Sequence, residues 1–177
     1  AFEANLARMA ADAAAAGMAL RPHAKMHKCP TIGLKQMALG AVGMCCQKVS
    51  EAEAMVNGGI PDVLVSNQVV GAPKIARLAS LATRARVGVC VDDLENVDQL
   101  SAAAEAFGVD VGVLIEISLG RCGVEPGEAA TALAKRIERA PRLRFGGLHV
   151  YHGGAQHIRE RDERREAVDY AAGRARE

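Results

Sequence analysis

Tryptophan is missing from this chain, and Phe and Tyr together leave the aromatic share at 3%. The core of a 177-residue protein must then be filled by Ala, Val, Leu, Ile and Met. No apolar run is long enough to span a bilayer as a helix, so no membrane partner is expected. A formal net charge of +1 removes the electrostatic footprint of a nucleic-acid binder. The five cysteines are an odd number without metal-type spacing, and Cys45 and Cys46 are adjacent. Free thiols in a reducing cytoplasm are the expectation. The first residues, Ala1-Phe2-Glu3-Ala4-Asn5-Leu6, lack a basic region, an apolar signal core and a Met. No signal peptide is read there, and a start inside a helical pattern marks the chain as a fragment.

What is present is a regular alternation. Helical patterns cover Glu3–Gly17, Pro30–Leu39, Ser50–Asn57, Ala72–Thr83, Leu94–Phe107, Pro126–Arg139 and Ile158–Arg176. Between them lie β-rich runs at Leu20–Met26, Gly43–Val49, Asp62–Ser66, Arg86–Val91, Val111–Ser118 and Leu143–Tyr151. Ser50 with Glu53 reads as a capping box, Pro126 as a first-turn residue and Gly58-Gly59 as a stop. Strands alternating with single helices mean βαβ units and a parallel sheet. The turn Met26-His27-Lys28-Cys29-Pro30 has no Gly, which excludes the Rossmann phosphate fingerprint. A closed barrel needs eight strands and about 250 residues. The reading is therefore an α/β fold, an incomplete (β/α)8 TIM-type barrel with about six βα units, over residues 1–177 as one partial domain.

The most informative segment is Arg21-Pro22-His23-Ala24-Lys25-Met26-His27-Lys28. On a strand, Arg21, His23, Lys25 and His27 share one side. Such a row is costly inside a protein unless it has partners or work to do. Polar residues also cluster at or past the C-terminal ends of the later runs: Gln47 and Lys48, Ser66 and Asn67, Asp92 and Asp93, Glu116 and Arg121, then Tyr151, His152 and His157. In parallel α/β folds, ligands bind at that end. No metal constellation is expected: His23 and His27 on a strand stand about 13 Å apart, at roughly 3.3 Å per residue. A nucleophile elbow is missing too, and Cys122 reads as a small buried residue. What remains is Lys25, whose amine would be activated by desolvation and by cationic neighbours such as Arg21. That makes it a competent Schiff-base former.

Four segments carry a resemblance: the Arg21–Lys28 run, Gln47-Lys48-Val49-Ser50-Glu51-Ala52-Glu53, Gly120-Arg121-Cys122-Gly123-Val124 and Tyr151-His152-Gly153-Gly154-Ala155-Gln156-His157. In this order they resemble the group of D-threonine aldolases, 3-hydroxy-D-aspartate aldolases and D-serine dehydratases, built on the alanine racemase-like N-terminal barrel. The resemblance implies pyridoxal phosphate on Lys25, with Lys28 as the competitor. Arg121 would contact the cofactor's phenolic oxygen and Tyr151 would pack near its ring. His23, Gln47 and Asn67 are expected around the cofactor, and His157 resembles the aldolases' catalytic base.

Members of that group also carry further barrel strands and a C-terminal β domain with divalent-metal ligands, Mg or Mn. This chain would then be inactive alone and form a homodimer at full length. The expected function is retro-aldol cleavage of a D-3-hydroxy amino acid to glycine and an aldehyde or glyoxylate. The alternatives are dehydratase-type elimination, a non-catalytic pyridoxal phosphate carrier, and a phosphate-sugar barrel enzyme with a Lys25 Schiff base. Products separate the first two, and a visible cofactor absorbance excludes the last.

Overall fold

The segments Asp62–Gln68, Arg86–Val91, Val111–Ile117 and Leu143–Val150 become strands β2 to β5, and Met44–Cys46 becomes β1. In the computed structural model, which describes residues 1–177, they form one sheet in the order β1-β2-β3-β4-β5. The pairs β1–β2 and β4–β5 are parallel. Helices α2 (Pro30–Ala38), α3 (Val49–Asn57), α4 (Ala72–Leu81), α5 (Leu94–Phe107) and α6 (Glu128–Arg139) alternate with them. Helix α1 (Phe2–Ala15) precedes this series and α7 (Arg161–Arg176) follows it. This is the expected incomplete barrel. No helix is long and apolar enough to cross a membrane.

The chain divides into two compact units, Ala1–Val89 and Cys90–Glu177. In the first, the register Met44↔Val63 and Cys46↔Val65 puts four fully buried side chains on one side of the strands. Helix α2 starts on Pro30, where the missing N–H costs nothing. Helix α3 departs from the expected box. It begins at Val49, so the acid in its third position is Glu51, which accepts from the Gln47 N–H at 2.7 Å. Glu53 is left to bind Arg77 of α4.

Leu20–Met26, expected as a full strand, is reduced to one bridge, His23↔Cys45, followed by a 3-10 turn over Ala24–Met26. Leu20 and Pro22 still accept from the N–H groups of Val42 and Cys45, at 2.9 and 2.7 Å. The ladder goes no further than this bridge. Pro22 has no N–H, and the Lys25 N–H is diverted to His23 Nδ1 at 3.2 Å. Arg21, placed by parity beside Lys25, instead forms an ion pair with Asp62 at 2.7 Å.

In the second unit, Asp93 caps α5 by accepting from the Asn96 N–H at 2.9 Å, as a helix-start aspartate does. Pro126 lies ahead of α6, whose N-cap is Gly127, so it is not a first-turn residue. The last helix begins at Arg161 rather than Ile158, after a 3-10 turn over Gly153–His157. Val111, Val113, Ile115 and Ile117 of β4 form a buried row, and Gly112, Leu114 and Glu116 face the other way.

One irregularity fixes what meets that second face. Val113 pairs with Phe145, but Leu114 pairs with Gly147, so Gly146 is an extra residue in β5. Gly147 takes φ 107, open to glycine at little cost. Beyond the bulge, His149 stands opposite Glu116. An unbroken register would have put Leu148 there.

Candidate active site

Within the first unit, Lys25 is exposed in the middle of the 3-10 turn. His23 secures that turn. Because its Nδ1 accepts from the Lys25 N–H, its proton sits on Nε2, which faces Ser66 Oγ at 3.4 Å. The Ser66 hydroxyl donates in turn to the Cys46 carbonyl at 3.4 Å. His23, expected at the cofactor, thus also ties the lysine's turn to two strands. His27 does not continue a row with Lys25, since its Nδ1 accepts from the Cys29 N–H at 3.0 Å. Lys28 lies past the turn in the left-handed region, φ 50. The parity that separated Lys25 from Lys28 does not extend beyond His23, and the turn separates them instead. Gln47 and Asn67 are brought together, beside a cavity that Lys25 does not line. Asn67 Nδ2 donates to the Gln47 carbonyl at 3.5 Å, and both line a cavity of about 280 Å³ with Lys48 and Lys74.

The second unit holds Arg121 and Tyr151. The Arg121 guanidinium lies 4.8 Å from the centroid of the Tyr151 ring, a cation–π distance, and donates to Glu116 Oε1 at 2.7 Å. Glu116 is only 2% exposed. Its other oxygen faces His149 Nδ1 at 3.4 Å, an ion-pair distance without hydrogen-bond alignment. Burial alone would raise the Glu116 pKa, but His149 and Arg121 outweigh it and hold the carboxyl down at about 2. Cys122 points its thiol at Glu116 Oε1 at 3.5 Å, and its pKa is pushed up by burial and by that carboxylate.

The Arg121 loop is locked onto the end of β4. Val124 N–H donates to the Glu116 carbonyl and Ser118 N–H to the Val124 carbonyl, both at 2.9 Å. Asp92 accepts from the Gly123 N–H at 2.9 Å. Only glycine fits at 123: φ is 105, and a Cβ would stand 2.7 Å from the Glu116 carbonyl oxygen. Gly123→Ala should lower stability by at least about 2 kcal/mol, combining backbone strain with a clash against backbone. Thermal unfolding against Gly127→Ala checks this, since Gly127 has φ 84 and nothing within 4 Å of its Cβ position. Equal midpoints for the two variants would remove the clash from the account.

His152 is half-buried, with an Nδ1 that has no hydrogen-bond partner. His157 is exposed at the end of the 3-10 turn before α7. Each unit offers groups that suit pyridoxal phosphate in kind: the first a reachable primary amine on an anchored turn, the second a guanidinium stacked on an aromatic ring with 40% of its side chain exposed. Cys90, Glu116 and His149 also bring a thiol, a carboxylate and an imidazole within 4.8 Å of one another. The carboxylate is already engaged by Arg121, so the group reads as an ion-pair cluster. Sequence reasoning left Glu116 and His149 without a role. The available signal was a lone carboxylate in the apolar run Val111-Gly112-Val113-Leu114-Ile115-Glu116-Ile117.

Comparison with known proteins bears on the family and the fold. The family model for the N-terminal domain of alanine racemase matches residues 1–176. D-threonine aldolase of Arthrobacter sp is 50% identical over 173 residues, which cover 97% of this chain and 46% of that protein. 3-Hydroxy-D-aspartate aldolase of Paracoccus denitrificans (strain Pd 1222) is 46% identical over 181 residues, covering 100% of this chain and 47% of that protein. The crystal structure of D-threonine aldolase from Filomicrobium marinum matches with a TM-score of 0.94 at 55% identity, over 96% of this chain and 47% of that one. The chain thus spans about half the length of the relatives it matches.

Proposed function

The chain belongs to the alanine racemase N-terminal domain family, and from that premise we propose that the whole protein is a pyridoxal phosphate-dependent lyase. It cleaves a D-configured 3-hydroxy amino acid, of the D-threonine or 3-hydroxy-D-aspartate type, to glycine and an aldehyde or glyoxylate. The observation that carries this reading is the similarity of nearly the whole chain, at 50% and 46% identity, to two proteins named as aldolases of such substrates. The anchored turn that presents Lys25 supports it from the structural side.

In this reading Lys25 supplies the amine that takes the cofactor's aldehyde. Arg121 would donate to the phenolic oxygen, Tyr151 would pack at the ring, and Gln47 and Asn67 would contribute polar contacts. Pyridoxal phosphate, when bound, accepts the electron pair released as the Cα–Cβ bond breaks. His157 would take the β-hydroxyl proton as the C–O bond becomes a carbonyl, and that proton would be returned to Cα to leave glycine. A Mg or Mn ion held by residues beyond this chain and a homodimeric assembly complete the proposal. A cytoplasmic setting suits the cysteines, none of which forms a disulfide.

The test is a product assay on the whole protein with D-threonine and 3-hydroxy-D-aspartate. Glycine with acetaldehyde or glyoxylate is the expected outcome. Ammonia with a keto acid would replace this reading by the dehydratase one.

A further inference from the structure

Glu116 is the most deeply buried charged group of the chain, at 2% exposure, and it stands in a strand that is otherwise apolar. Its neighbours come from every element packed around it. Cys90 faces it from β3, His149 from β5, and Arg121 and Cys122 from the loop after β4. Two devices of the backbone serve this one carboxylate. The Gly146 bulge turns His149 toward it in place of Leu148. The locked Gly123 turn brings Arg121 back onto it, five residues downstream.

A buried carboxylate held this firmly does more to a guanidinium than orient it. It takes up part of the donor fork and offsets its positive charge in a region of low dielectric. Arg121, stacked on Tyr151 and 40% exposed, still has donors to offer a ligand.

We propose that Glu116 is a positioning residue that both aims Arg121 and sets the net charge Arg121 presents to the bound cofactor. The pair Glu116–Arg121, rather than Arg121 alone, then determines the pH at which the cofactor's visible chromophore gains and loses its proton. This rests on the cofactor contact proposed above for Arg121. The sign follows from charge. Removing the Glu116 carboxylate leaves Arg121 uncompensated, disfavours the more positive form of the chromophore and lowers its midpoint. Removing the Arg121 charge leaves the carboxylate uncompensated and raises it.

The experiment is a pH titration of the visible absorbance of the whole protein loaded with pyridoxal phosphate. It is paired with the mass of the chain after borohydride reduction. In Glu116→Gln, the midpoint should fall by about one pH unit, the scale of a unit charge removed at under 10 Å with an effective dielectric near 20. Glu116→Asp, which keeps the charge, should restore most of it. Arg121→Gln should move the midpoint upward, and that arm tests the proposal even where Glu116→Gln does not fold. An unchanged midpoint in Glu116→Gln with the mass on Lys25 intact, or no rise in Arg121→Gln, overturns the proposal while leaving the cofactor reading in place. A wild-type protein that shows neither visible absorbance nor reduced mass on Lys25 overturns the cofactor reading, and this proposal falls with it.

Discussion

Lys25→Ala in the whole protein is expected to abolish the visible absorbance of bound pyridoxal phosphate and bring cleavage to background, whereas Lys28→Ala keeps both. The two lysines are close in sequence and chemically alike, so their surroundings must separate them. Lys25 sits inside a 3-10 turn whose start is fixed by His23, which reaches Ser66 on β2. Its N–H is held by His23 Nδ1, and a condensed amine needs such a fixed origin to present a cofactor in one orientation. Lys28 stands beyond the turn at φ 50, a left-handed position held through its own N–H to the Ala24 carbonyl. Mapping the borohydride-fixed peptide by mass spectrometry decides the matter. Attachment to Lys28 would sink the assignment.

The second large effect is expected at His157. Retro-aldol cleavage needs a base near the β-hydroxyl on a group other than the lysine that holds the cofactor. An imidazole suits that role, since its ordinary pKa of about 6.5 lies near working pH. His157 closes the 3-10 turn over Gly153–His157, is exposed, and follows β5 by a few residues. His157→Ala should keep the cofactor absorbance and bind a D-amino acid. Its cleavage rate should fall at least about a hundredfold, the usual loss with a general base. Turnover close to wild type would pass the role to His152, whose buried Nδ1 has no hydrogen-bond partner.

Much of the architecture was legible because hydrophobic period and loop chemistry agree along most of the chain. Leu94–Phe107 is a helix over the bounds its pattern suggests, opened by the Asp93 side chain and closed by Gly108 in the left-handed conformation. Arg21–Met26 was not legible as built. Its alternation looks like a strand, but a proline without a donor and a histidine that captures a nearby amide end the ladder after one bridge. Lys25 is reachable and anchored as built, although the parity argument for it does not apply.

In the second unit, Glu116 was visible as a charge in an apolar run, but its pairing with His149 was hidden. Period-two reasoning assumes an unbroken strand, and Gly146 breaks it. Arg121 and Glu116 were five positions apart with no helical spacing to join them. The Gly123 turn does that, and its need for glycine comes from a contact with backbone that no local propensity records.

The bulge in β5 also bears on how relatives of this chain are to be compared. Everything downstream of Gly146 on that strand owes its facing to one inserted residue. A relative with a single glycine in place of Gly146-Gly147 would keep its leucine opposite Ile115 and its histidine opposite Glu116, because only the unpaired residue is gone. A relative of equal length that lacked the bulge would instead set the leucine opposite the carboxylate, and column-by-column matching would still score the histidine as identical while the imidazole had moved away. For this strand, homology of position has to be assigned after the bulge is placed, and the glycine at φ 107 that permits it weighs more than several other substitutions.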